Sequence, residues 1–186
     1  AILVAIFAIT GFAQKERSKE DLLKEIATLS NSSSADDKEK AYQTAKEFLA
    51  RFGSEKNDNV KKVRKFVESY RTSMFFKAVD GNKFQSAFTL GKEILADEPQ
   101  NVDILINLTY AGYNAMAAGD KSYVDDTISS AKKAEELIEA GTAPKSFAPF
   151  KDKPEALAWI YYIEGNLVTT RDKKAGAVSI YKATLF

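Results

Sequence analysis

The fold class of this chain is decided by the stretch FQSAFTLGKEILADEP, residues 84–99. The aromatic residue Phe84 precedes the small residue Ala87 by three positions, and Pro99 follows Ala87 by twelve. Residues three or four apart lie on one face of a helix, and a small residue on that face lets a second helix approach closely. Proline cannot continue a helix. The stretch therefore predicts a helix that packs closely against a neighbour and ends just before Pro99.

A second stretch has related spacing. Gly165 is followed twelve residues later by Ala177, and Tyr181 follows Ala177 by four. The two small residues are expected to lie where two successive helices touch, because neither has a side chain that would hold the helices apart.

Together the two stretches resemble the tetratricopeptide repeat, a helix–turn–helix unit of about 34 residues that stacks into a superhelix. The resemblance is clearest over residues 68–100 and 158–186 and looser over residues 102–140. It implies an all-α fold, namely a right-handed α-solenoid of antiparallel helix pairs with about eight helices.

From residue 15 onward one helical pattern follows another, and residues 15–186 are predicted to form a single helical-repeat domain. Ser18-Lys-Glu-Asp21 has the pattern of a capping box, and apolar residues recur after it at helical spacing. No run alternates with period two for long enough to predict a strand.

Residues 141–153 form the longest stretch without a helical pattern. Pro144 and Pro149 break any helix there. Phe147 and Phe150 of the same stretch are expected to pack against the neighbouring helices.

The resemblance also implies a binding groove, because the first helix of each repeat lines the concave face of the stack. The residues placed on this groove are Phe76 from the first unit, Ile106, Tyr110, Tyr113 and Asn114 from the second, and Trp159, Tyr162 and Asn166 from the third. Aromatic side chains with polar tips suit the binding of a peptide, since they offer a large contact area at low entropic cost. The alternative is that several of these side chains pack between helices.

Composition limits the possible functions. The chain has 27 lysine and arginine residues against 26 acidic residues, a net charge of +1, so nucleic acid is not an expected partner. It contains no cysteine and no histidine, which removes cysteine nucleophiles, serine–histidine triads and the usual zinc sites. We therefore predict no catalytic residues, no metal and no cofactor. An enzyme such as a carboxylate-based glycosidase is an alternative class of function, and it requires two inward-facing carboxylates about 5–10 Å apart in one cleft.

The first fourteen residues, AILVAIFAITGFAQ, differ from the rest of the chain because they are almost entirely apolar. Their length matches the core of an export signal and is shorter than the roughly 20 residues of a membrane-spanning helix. This pattern predicts a protein outside the cytoplasm, whether periplasmic, secreted or on the cell surface, with membrane contact only through this segment if it is uncleaved. Alternatively the segment mediates assembly by inserting into a neighbouring copy through Ile2, Leu3, Val4, Ile6, Phe7, Ile9 and Phe12.

Two functional hypotheses follow. The first is a non-catalytic, exported scaffold that binds a peptide or protein segment in its concave groove. The second is a self-assembling subunit of an extracellular filament or oligomer, in which the groove of one copy receives residues 1–14 of the next.

Overall fold

The computed structural model describes residues 16–142, 144, 146–169 and 172–186. Within these ranges the fold is all-α, with eight helices and no strand, as the sequence predicts. The helices are α1 (Lys19–Ser30), α2 (Ala35–Phe52), α3 (Asp58–Asp80), α4 (Phe84–Asp97), α5 (Val102–Ala117), α6 (Val124–Glu139), α7 (Lys153–Thr169) and α8 (Lys173–Ala183).

The predicted export or assembly segment, residues 1–14, lies outside the described residues, and both interpretations of it remain predictions. None of the described helices combines the length and the apolar character that crossing a membrane requires.

The chain divides into two compact units between Val67 and Glu68, which is also where the sequence predicts the first clear repeat to begin. The first unit contains α1, α2 and the beginning of α3. Its core is formed by apolar side chains from all three helices, namely Leu22, Ile26, Ala45, Phe48, Val60 and Val63. Helix α1 begins at the predicted capping box, in which the Asp21 backbone N–H donates to Ser18 Oγ over 3.1 Å. The cap satisfies backbone donors that have no partner within the helix.

The second unit contains the remainder of α3 and helices α4–α8. Two apolar clusters form its core. One joins α3, α4 and α5 through Phe75, Phe88, Ile94, Ile104 and Leu108, and the other joins α5, α6 and α7 through Leu105, Ile106, Leu137, Ile138 and Ile160. Helix α5 contributes to both clusters because ten of its sixteen residues are buried. It is therefore the central helix of this unit.

Successive helices of the second unit pack against each other from α4 to α8, and α5 also contacts α7. The direction of α7 and α8 can be read from their contacts. Gly165 on α7 lies against Ile180 on α8, whereas Thr169, later on α7, lies against Gly176, earlier on α8. Helices α7 and α8 therefore run antiparallel.

The contact between α7 and α8 is a contact between backbones. A Cβ atom at Gly165 would lie 2.8 Å from the Ile180 backbone nitrogen, and a Cβ atom at Gly176 would lie 2.6 Å from the Thr169 backbone nitrogen. The sequence had indicated Ala177 for this contact, but Ala177 is exposed and the adjacent Gly176 takes its place. The physical reason is that only glycine allows backbones to come this close. The rotation of α8 also leaves Tyr181 66% exposed.

We expect Gly165→Ala to lower the free energy of unfolding of the second unit by about 1–3 kcal/mol, because the added methyl group overpacks against backbone atoms that cannot move aside. This loss outweighs the helix propensity of alanine, which alone favours the substitution by about 1 kcal/mol. Urea unfolding followed by the emission of Trp159, the chain's single tryptophan, measures the change. Ala177→Ser, which adds one atom on the exposed side of α8, is the control. A Gly165→Ala variant as stable as the control would contradict the backbone contact.

Candidate functional site

Five aromatic side chains meet where α5 contacts α7, and we call them the aromatic face: Tyr110, Tyr113, Phe150, Trp159 and Tyr162. Trp159 lies at their centre, with ring centroids 5.5 Å from Tyr110, 5.0 Å from Tyr113 and 5.1 Å from Phe150. The Tyr113 ring meets Trp159 edge to face at 72° and lies 6.5 Å from Tyr162. These separations are those of favourable aromatic pairs.

Helical spacing explains how four of these rings reach the same place. Tyr110 and Tyr113 are three residues apart on α5, and Trp159 and Tyr162 are three residues apart on α7. Residues three apart share one face of a helix. The opposite faces are occupied by core residues, which fixes the rotation of both helices.

The aromatic face is partly accessible to solvent. Tyr162 is 43% exposed, and the other four side chains are half-buried. None of the five carries a formal charge, and each tyrosine and the tryptophan has a polar group at one end of its ring. A surface of this kind offers ring faces for stacking, together with hydroxyl and indole N–H groups for hydrogen bonding.

Phe150 was not among the residues that the sequence placed on the groove. It belongs to the irregular segment between α6 and α7, and it packs, with Phe147, against the core cluster shared by α5, α6 and α7, as predicted. Its contact with Trp159 could not be read from helical spacing because Phe150 is not in a helix. The available signal was the location of an aromatic residue just before the helix that carries Trp159.

The remaining predicted groove residues lie elsewhere or have local partners. Asn114 is half-buried on α5. Asn166 donates to the Tyr162 backbone carbonyl of its own helix over 2.8 Å. Phe76 on α3 packs edge to face against Phe75, 5.2 Å away, and against the core cluster of α3, α4 and α5.

Ile106 corrects the sequence-based assignment. Its side chain is fully buried, at 0% exposure, in the core cluster of α5, α6 and α7. A branched apolar side chain on the central helix is stabilised more by burial than by exposure to a partner. Ile106 is therefore part of the core and not of the exposed aromatic surface.

A polar network on α7 joins that helix to α6 and α8. The Tyr161 hydroxyl oxygen lies 2.8 Å from Glu135 Oε1 and 2.6 Å from Glu139 Oε1, so its single hydrogen is shared between the two carboxyl groups. Lys182 of α8 pairs with Glu135 at 3.2 Å. Burial, followed by hydrogen bonding to Glu139 and Glu135, raises the pKa of the Tyr161 hydroxyl. The tyrosine therefore stays protonated and acts as a donor between the helices.

Glu164 is the buried carboxyl group of this network, 7% exposed. Burial is the main cause that raises its pKa, and the charge of Glu135 adds to the effect, while Lys132 opposes it from 3.9 Å. A hydrogen bond to Glu135 raises the pKa of Glu164 further. Together these polar groups join α6, α7 and α8.

We expect the free energy of unfolding of Glu164→Gln to increase, relative to that of the wild-type protein, as pH rises. The pKa of Glu164 is higher in the folded than in the unfolded state, so its stabilising contribution is complete below the ordinary value of 4.5. This contribution is lost as pH rises from there through the folded pKa, whereas glutamine is neutral at every pH. Unfolding by urea from pH 4 to pH 8 measures the difference, with the exposed Glu136→Gln as control. Parallel pH profiles for wild type and Glu164→Gln would contradict the raised pKa.

Within the described ranges there is no group of three or more acidic residues placed to hold a metal ion.

No protein-family model matches the chain, no curated protein is similar to it, and no solved structure matches its fold.

Proposed function

We propose that this chain is a non-catalytic scaffold that binds a peptide or protein segment on the aromatic face. The observation that supports this proposal is the meeting of partly exposed tyrosine and tryptophan rings from two separate helices. Tyr110 also packs against the core cluster of α3, α4 and α5, so the proposal rests mainly on Tyr113, Trp159 and Tyr162.

The physical properties of the face are those of a binding hot spot. Tyrosine and tryptophan provide large apolar area with few rotatable bonds, so ordering them on binding costs little entropy. Here the ring–ring contacts already hold Trp159 in place before any ligand arrives. Such preorganisation strengthens binding because less motion is lost.

We also propose that residues 68–186 are stacked as in tetratricopeptide repeats. The contact between α5 and α7, in addition to the contacts between successive helices, supports this, because the first helices of neighbouring repeats touch in such a stack. Export from the cytoplasm and self-assembly both depend on residues 1–14, and they remain proposals from the sequence.

The proposal predicts that short peptides bind the face and that Tyr113→Ala combined with Tyr162→Ala weakens them at least about tenfold, or about 1.4 kcal/mol. Ligands can be selected from a displayed library of random peptides on the wild-type protein. Because Trp159 is the only tryptophan, its emission reports binding at this face directly. Isothermal titration calorimetry then provides the affinities of both proteins.

The matched control is Tyr181→Ala, which removes an exposed tyrosine of α8 that is not part of the aromatic face. Circular dichroism establishes that each variant keeps its helical content. A library without binders, or binders whose affinity the double variant does not change, would place the function elsewhere.

A further inference from the structure

Four rings of the aromatic face belong to α5 and α7, whereas the fifth, Phe150, belongs to a separate segment of the chain and contacts Trp159. Residues 146–151, with the sequence Ser-Phe-Ala-Pro-Phe-Lys, connect α6 to α7, and the Phe150 ring lies 5.1 Å from the Trp159 ring. We call these residues the loop segment. Phe150 is half-buried, and it also packs against the core cluster of α5, α6 and α7.

Two hydrogen bonds attach the backbone of the loop segment to α5. Asn107 Nδ2 donates to the Ala148 carbonyl oxygen over 3.3 Å, and the Ser146 backbone N–H donates to Asp103 Oδ1 over 3.1 Å. A turn follows, in which the Phe150 N–H donates to the Phe147 carbonyl oxygen over 2.8 Å. Any peptide has the same backbone groups, so these contacts do not depend on the loop being part of the chain.

The contacts therefore divide into two kinds, as in peptide recognition generally. Backbone hydrogen bonds to side chains of α5 hold the segment. One aromatic side chain packs against Trp159 in a tilted ring pair and distinguishes the segment from other sequences. Pro149 suits this arrangement because proline has no N–H that would need a partner.

We propose that the loop segment is an intramolecular occupant of the surface formed by the four rings of α5 and α7, and that the external ligand is a peptide in which an aromatic residue follows proline. Phe150 and the aromatic residue of the ligand compete for Trp159. This inference rests on the proposed function, since it names the class of peptide that the face binds and a contact that limits its access.

Competition from within the chain is effective because the loop segment is always near its site. A tethered competitor has an effective concentration in the millimolar range, set by the length of its linkage. The affinity for an external peptide is reduced by the fraction of molecules in which Phe150 covers Trp159. Weakening the Phe150 contact must therefore increase affinity, whereas weakening an ordinary ligand-binding residue decreases it.

The test uses the loop segment itself as a free probe, the blocked peptide acetyl-Ser-Phe-Ala-Pro-Phe-Lys-amide. Phe150→Leu removes the ring pair and keeps an apolar side chain against the core. We expect this variant to bind the probe roughly three- to tenfold more tightly than wild type, which is the ratio that corresponds to one competing aromatic pair. Its Trp159 emission is also expected to shift to longer wavelength before any peptide is added, since the indole becomes more exposed to water.

Phe147→Leu is the matched control, because Phe147 belongs to the same loop segment and packs against the same core cluster. We expect it to leave the affinity for the probe unchanged. A second probe with alanine in place of the aromatic residue after proline is expected not to bind. Circular dichroism and urea unfolding verify that all variants are folded.

Equal affinity of wild type and Phe150→Leu for the probe would overturn the proposed competition. Failure of the probe to bind Phe150→Leu, while library-selected peptides do bind, would overturn the proposed ligand class and leave the proposed function intact. The absence of binding by every peptide to every variant would instead contradict the proposed function.

Discussion

Close approach of helices at glycine is the constraint on which the second unit depends. A Cβ atom at Gly91 of α4 would lie 2.7 Å from Leu108 of α5, and one at Gly112 of α5 would lie 2.7 Å from Cβ of Thr127 on α6. At Gly165 of α7 the neighbour is the backbone of α8 itself. The missing side chains set the distances between helices, and interiors packed this densely tolerate few alternatives. Because α5 and α7 are each held in this way, the aromatic rings on their other sides meet in one arrangement.

Helix α7 carries two different surfaces as a result. Trp159 and Tyr162 belong to the aromatic face, while Tyr161 and Glu164 belong to the polar network with α6 and α8. Buried polar networks specify one arrangement when each member has a partner. The network and the glycine contacts thus fix the orientation of α7. The rings of Trp159 and Tyr162 are therefore held in position within the aromatic face. A binding surface benefits from this order, because a ligand need not supply the energy to create it.

The sequence predicted much of this architecture and a large part of the candidate site. The all-α fold follows from periodicity. The resemblance to tetratricopeptide repeats placed Tyr110, Tyr113, Trp159 and Tyr162 on one groove. Ile106 was assigned to the same surface, but the central helix is buried on several sides, so a position near the groove in the repeat pattern was in fact core. Phe150 was missed as a member of the face, since no periodic pattern predicts where a residue of an irregular segment will lie.

Amino-acid order by itself therefore determined the helices, their ends at prolines and capping residues, and the aromatic stripes on α5 and α7, because these depend on interactions within a few residues. Tertiary structure alone decided which small residue of α8 meets α7, which apolar residues of α5 are buried, and which ring of the 146–151 segment reaches Trp159. These outcomes depend on helix rotation and on contacts between residues distant in the chain. Dense packing selects among them by the volumes of side chains that meet only in the folded protein.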